Sequence, residues 1–299
     1  MASREDKIFG ILGHMVMIAL SVCALVPIIL MLISSFTDNG ALLRNGYSFF
    51  PEQWSLGAYE WVFQSNSGTV LRAYGVSFAL TASGTAASLV ITTLLAYGLA
   101  KKDLPFKGFI TFFVFFTMLF NGGLVPSYIN YTTVFHVKDT FFGLLVPGLL
   151  MSAFSALLMK SYFVTSVPGE ILDAAFIDGA GEFTTMLRIA VPMAKPIIAT
   201  IGMFTGIAYW NDWNNGFIYL VKRTDLYSIQ NLLNRLMTNI QALVQNASNV
   251  ANAAEGLAQI PTVTVRMAMA TLGVLPIVLV YPFIQSNFVK GITLGGVKG

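Results

Sequence analysis

Apolar residues gather into six long runs, at about residues 8–36, 74–100, 109–131, 141–163, 193–221 and 267–288, and polar segments separate them. A helix needs about 20 predominantly apolar residues to cross the hydrocarbon of a bilayer, and each run is long enough. Lipid offers no partner to a backbone amide or carbonyl, so a run that spans must pair its own groups as a helix. The pattern predicts an all-α polytopic membrane protein with six transmembrane helices in one domain over residues 1–299. The first run follows Arg4-Glu5-Asp6-Lys7 and contains Pro27; it is expected to be an uncleaved anchor.

The runs differ in kind. Residues 74–100 are rich in Ser, Thr, Ala and Gly, which let helices approach closely inside a bundle. Residues 109–131 are interrupted by Asn121-Gly122-Gly123-Leu124-Val125-Pro126. A helix broken at membrane depth persists only where protein or a water-filled cavity accepts the freed backbone groups, so Asn121 marks either a pathway lining or a packing kink. Residues 193–221 carry Tyr209-Trp210-Asn211-Asp212-Trp213-Asn214-Asn215-Gly216. A carboxylate at the centre of a bilayer costs about 2.5–3.5 kcal/mol on insertion scales and needs a partner or a function. Tyr209, Asn211, Asp212 and Asn215 are therefore candidates for a substrate pathway, since rings beside carboxylate and amide groups suit the faces of a sugar. The alternative is a satisfied contact with a neighbouring helix.

The polar segments set the topology. Residues 37–72 are polar and aromatic, as in an interfacial belt, and 222–261 form a long segment with a helix expected over 229–244. Arg4, Lys7, Lys101, Lys102, Lys107, Lys160, Arg188, Lys195, Lys290 and Lys298 fall on one side of a six-span arrangement. By the positive-inside rule that side is cytoplasmic, with both termini there and with the segment over 167–192.

That segment, within VPGEILDAAFIDGAGEFTTMLRIAVPMAKP, joins the fourth and fifth runs. Pro168 suits a first helical position, and Glu170 and Asp173 place negative charge near the positive end of a helix dipole. Leu172, Ala175, Phe176 and Gly179 share a helical face, and Gly179 supplies a stop. Phe183, Leu187 and Val191 are spaced by four until Pro192 and Pro196 break the pattern. Glu170, Asp173, Asp178, Glu182 and Arg188 are too polar for lipid, while Leu172, Phe176 and Ile177 are too apolar for water alone. Such a piece either rests on headgroups or is received by another protein.

Composition narrows the class. Of 299 residues 56% are hydrophobic and 10% charged, whereas charged residues make up about a quarter of a soluble domain. A net charge of +3 with scattered basic residues does not suit nucleic acid. His14 and His136 have no Cys or carboxylate cluster at ligand spacing, so no metal site is expected, and Cys23 has no partner for an internal disulfide. The absence of any Gly-Lys dipeptide excludes the Walker device for ATP.

The order Asp173-Ala174-Ala175, then Gly179, then Ile189-Ala190-Val191-Pro192 resembles the EAA loop of the membrane-spanning subunits of ABC importers. Asp173 stands where that family usually has Glu, and Val191 where it usually has Leu. The ending Phe288-Val289-Lys290-Gly291 with Gly295-Gly296-Val297-Lys298-Gly299, together with Trp210-Asn211-Asp212 and Ser34-Ser35-Phe36, is similar to the carbohydrate, maltose-type branch. Asn121-Gly122-Gly123-Leu124-Val125-Pro126 resembles a subgroup that imports complex oligosaccharides. The resemblance implies a permease subunit in a bacterial cytoplasmic membrane. Its partners would be a second related permease, an ATPase dimer, an extracytoplasmic solute-binding protein and an oligosaccharide. It implies no enzyme activity and no cofactor in this chain, with ATP and Mg on the ATPase. The coupling helix between spans four and five would dock there through Glu170, Asp173, Ala174, Ala175, Phe176, Asp178, Gly179 and Pro192. The competing expectation is a self-sufficient ion-coupled transporter with Asp212 as the coupling acid. It calls for internal repeats, and the halves show no clear one. A membrane-embedded enzyme would need clustered His, Cys or paired carboxylates, which the runs lack.

Overall fold

The computed structural model describes residues 4–247 and 262–296. Among them all regular structure is helical, with one isolated antiparallel bridge between Thr37 and Trp54. Two compact units are formed, Met1–Val70 with Leu233–Pro276, and Leu71–Leu232 with Ile277–Gly299. Residues 248–261 of the expected 222–261 segment and the last three residues of the expected tail lie outside the described residues.

In the first unit, α1 (Arg4–Ser35) runs without interruption through Pro27. The most apolar part of Ile8–Ser35 has none of its residues buried by the other described residues. Beyond α1 the chain is pinned rather than loose. The Asp38 amide donates to Gln53 O at 3.0 Å and the Ser55 amide to Phe36 O at 2.8 Å, on either side of the Thr37–Trp54 bridge. Asp38 then caps α2 (Asn39–Asn45) by accepting from the Ala41 amide at 2.9 Å. Ser55 Oγ accepts from the Gly57 amide at 3.0 Å and opens α3 (Gly57–Ala100). The expected second span began at 74, whereas the helix begins 17 residues earlier than that, at Gly57. Residues 57–72 are polar enough for water yet contain no helix breaker beyond Gly, so helical propensity carries the span outward from its apolar part. The first turns of α14 (Thr262–Gly296) belong here too, with Asn39 Oδ1 accepting from the amides of Val263 and Thr264 at 3.2 and 3.4 Å. Those two donors are among the first amides of a helix, which lack intrahelical partners.

The second unit continues α3 from Leu71 and adds shorter pieces. After α4 (Lys107–Leu119) the axis turns by 114° into α5 (Leu124–Ile129), which a π turn extends through Val134. The interruption expected at Asn121-Gly122-Gly123 is present. Gly123 stands at φ +87°, where a Cβ is disfavoured, and Asn121 Oδ1 accepts from its amide at 2.8 Å. The fourth apolar run does not form one helix. It is divided between α6 (Phe142–Leu145) and α7 (Ala153–Ser166), with Pro147 and Gly148, at φ +72°, between them. The chain then forms α8 (Gly169–Ile177), α9 (Glu182–Thr185) with a π turn over Met186–Ala190, α10 (Val191–Met193), α11 (Lys195–Asn211) and α12 (Asn214–Tyr219). A 3-10 turn at Thr224–Leu226 precedes α13 (Ile229–Ala247), close to the expected 229–244, whose residues from Leu233 on belong to the first unit.

The break expected at Pro192 and Pro196 is present as a bend between them. Pro192 and Pro196 each sit in the first turn of a new helix, where a missing N–H leaves no acceptor unpaired, and the 81° bend falls at Ala194 between α10 and α11. Of the stripe Phe183, Leu187, Val191, only Val191 packs against the core, where it is half-buried; Phe183 and Leu187 are exposed, and Thr185, Met186 and Ala190 are buried.

Among the described residues three helices are long and apolar enough to cross a membrane, Ile8–Ser35, Gly68–Ala100 and Thr262–Val280, and counting each bent pair as one span gives up to five. Apolar packing gains little over lipid contact within a bilayer, so close fit and hydrogen bonds hold such helices together. Two clusters in the second unit show this. One joins Tyr97 of α3, Met159 and Phe163 of α7, Ala190, and Ile197 and Ile201 of α11. The other joins Leu80, Leu144, Tyr209 and Leu220.

Candidate coupling surface and pathway residues

The segment after α7 is shaped at both ends by local geometry. Val167 is buried and Pro168 is extended, with φ −63° and ψ 128°, so Pro168 precedes the helix and Gly169 opens it. The missing amide of Pro168 thus falls just outside α8, not at its first helical position as expected. At the far end the Ala180 amide donates to Ala175 O at 2.9 Å and the Gly179 amide to Phe176 O at 3.0 Å. With Gly179 at φ +83° this is a Schellman stop.

The two faces of α8 differ. Ala175 is buried and Leu172 is half-buried against the cluster containing Tyr97 and Phe163. Glu170, Asp173, Ala174, Ile177 and Asp178 are exposed, Ile177 to 87%. Phe176 lies at the boundary, 37% exposed, and Pro192 is exposed on α10. Of the eight residues expected to meet a partner, Ala175 thus points inward and anchors the helix, and the others are accessible. Charge at the far side of the loop is organised by Lys101, just past α3. Its ammonium pairs with the Glu182 carboxylate, while the Tyr97 hydroxyl donates to the other Glu182 oxygen at 3.4 Å. No local sequence pattern marks this pairing, because its members lie 81 positions apart.

The expected pathway residues are placed less uniformly. Tyr209 is buried in α11; its hydroxyl donates to Leu145 O at 2.7 Å and its ring closes over Gly84 of α3. Asn215 is buried and donates from Nδ2 to Pro147 O at 2.9 Å. Together they satisfy carbonyls of the broken fourth run, which no helix pairs. Asp212 Oδ1 accepts from the amides of Asn214 and Asn215 at 3.0 and 3.2 Å and so caps α12, while its Oδ2 is buried without a partner. Asn211 and Asn121 are exposed. Tyr209, Asp212 and Asn215 lie at the α11–α12 junction, and Asn121 lies at the bend after α4.

Asp139, which no motif in the sequence marks, ties two loops together. It has φ +55°, and its Oδ1 accepts from the amides of Val221, Lys222 and Arg223 at 2.7, 2.7 and 3.3 Å. These amides, that of Lys222 foremost, hold its carboxyl below its ordinary value of 3.8. No cluster of three or more His, Cys, Asp or Glu residues with metal-binding geometry occurs among the described residues.

These features define a polytopic, all-helical membrane protein whose short polar helix is anchored on one face and open on the other. No protein-family model matches the chain. Relatives do. It is 31% identical, over 99% of its length and 100% of the relative's, to the polygalacturonan/rhamnogalacturonan transport system permease protein YtcP of Bacillus subtilis (strain 168). Protein LplC of the same organism is 30% identical, with 99% and 97% covered. Among solved structures, a bacterial ABC transporter involved in the import of the acidic polysaccharide alginate matches with a TM-score of 0.76 and 27% identity. That match covers 96% of this chain and 99% of the other. The chain belongs to the permease subunits of ABC sugar importers.

Proposed function

We propose that this subunit forms one half of the pathway for an oligosaccharide across a bacterial cytoplasmic membrane and couples it to ATP hydrolysis on a separate ATPase dimer, where ATP and Mg bind. Its further partners are a second related permease and an extracytoplasmic solute-binding protein. The named cargoes of its relatives, polygalacturonan, rhamnogalacturonan and alginate, point to an oligosaccharide derived from an acidic polysaccharide. Six crossings are reached if the divided fourth run counts as one, and this places both termini and α8 in the cytoplasm. Asn211 and Asn121 are the accessible members of the proposed pathway, and Tyr209, Asp212 and Asn215 hold its wall.

The observation that carries the coupling role is the two-faced α8. Its anchored side, Leu172 and Ala175, fixes it to the bundle, and its open side offers Glu170, Asp173, Ala174 and Asp178 to a basic cleft. Movement of a docked helix biases a two-state bundle from its cytoplasmic end, while the binding protein biases it from the other. A photo-crosslinker at Ala174 in the assembled importer should capture the ATPase, and one at the buried Ala175 should not. Capture of lipid alone at Ala174 would remove the coupling role.

A further inference from the structure

The exposed face of α8 accounts for docking and leaves open what keeps α8 in place when force is applied. A helix of nine residues is marginal by itself, and the turn Gly179-Ala180-Gly181 that follows is the natural point for it to swing. Lys101 sits at that point. Its ammonium lies 5.0 Å from the centroid of the Phe176 ring, in the last turn of α8, and 5.3 Å from that of Tyr97, in the last turn of α3. It pairs with Glu182, the first residue of α9, which also accepts from the Tyr97 hydroxyl. One side chain thus touches the helices on both sides of the turn and the end of the 44-residue α3. Its own backbone is held as well, since Lys107 Nζ donates to Lys101 O at 2.7 Å and to Ala100 O at 3.4 Å. Lys107 thereby closes the end of α3, where unpaired carbonyls favour a cation.

We propose that Lys101 is a positioning residue for the coupling segment: held between the Tyr97 and Phe176 rings and paired with Glu182, it makes α8, α9 and the end of α3 move as one body. The proposal rests on the coupling role given above. The Lys101 side chain is 28% exposed and that of Glu182 58%. Each contact alone is weak in such a setting, and their joint geometry does the work because a single ammonium is shared by all three helices.

The test uses the full importer with its companion permease, ATPase and binding protein, in lipid, in a Cys23→Ala background. Spin labels at Ala174→Cys on α8 and Lys102→Cys beyond α3 report the distance between the two elements. With Lys101 present, one narrow distance is expected, unchanged when ATP is added. Lys101→Gln and Glu182→Gln should each replace it with a broad distribution, and Lys101→Arg should keep it narrow. A narrow distance in Lys101→Gln, or a shift on ATP addition in the parent, overturns the proposal. Copurification of the ATPase is read separately: its absence from the parent importer would remove the coupling role, whereas its retention in Lys101→Gln confines the change to the position of α8.

Discussion

At Gly179 the backbone stands at φ +83°, a region that costs a residue with a Cβ about 1–2 kcal/mol. Space is not the obstacle, for nothing lies within 4 Å of where a Cβ would be. Gly179→Asp is therefore expected to insert normally but to lose most ATP-driven uptake, because the Schellman bonds that end α8 open and the docking face turns. Membrane yield and uptake measured together check this, and normal uptake would refute it. Gly84 is the opposite case. A Cβ there would lie 2.5–2.7 Å from the Tyr209 ring, and that ring cannot withdraw without giving up its bond to Leu145 O. Overpacking of this kind typically costs about 1–3 kcal/mol. Gly84→Ala should lower the thermal unfolding midpoint of the detergent-solubilised protein, while an alanine at Gly206, which a Cβ would leave in ordinary contact with Thr85 and Thr81, should change it little.

Between elements, the Asp139 carboxylate is the clearest tie outside the apolar runs. Its pKa is lowered in the folded chain, so the stability it contributes is fully present above the ordinary value of 3.8 and is lost as pH falls through the lowered one. Asp139→Asn keeps a side chain that tolerates positive φ and removes the charge. Amide exchange at Val221, Lys222 and Arg223 should become faster in this variant at neutral pH, and the acid-induced rise expected of the parent should disappear. Equal protection at pH 7 would show that the charge is not what holds the loop. Elements were legible in the sequence where a breaker or a long period marked them: the bend at Asn121-Gly122-Gly123, the stop at Gly179 and the helix from Ile229. The divided fourth run was hidden by its composition, since Pro147 and Gly148 lie among residues apolar enough for one span. The π turn over Met186–Ala190 left no mark either, and the spacing of Phe183, Leu187 and Val191 did not reveal Thr185, Met186 and Ala190 as buried positions. Tyr209 and Asn215 were legible as unusual residues, but not as donors to carbonyls about 65 to 70 positions away.

For the molecule as a whole, membership in the ABC permeases makes transport a property of an assembly. Vesicles carrying this chain with its companion permease, ATPase and binding protein should accumulate sugar only when ATP is supplied. The chain alone under a proton or sodium gradient should accumulate none, and uptake there would revive Asp212 as a coupling acid. One feature of the first unit bears on how such an assembly is built. None of the described residues covers the most apolar part of α1, so its register and tilt are left to the bilayer and to whatever it meets there. Evolution can therefore rewrite that stretch freely as long as it stays greasy, and an orphaned subunit would carry an unclaimed oily rod by which a membrane protease could recognise it.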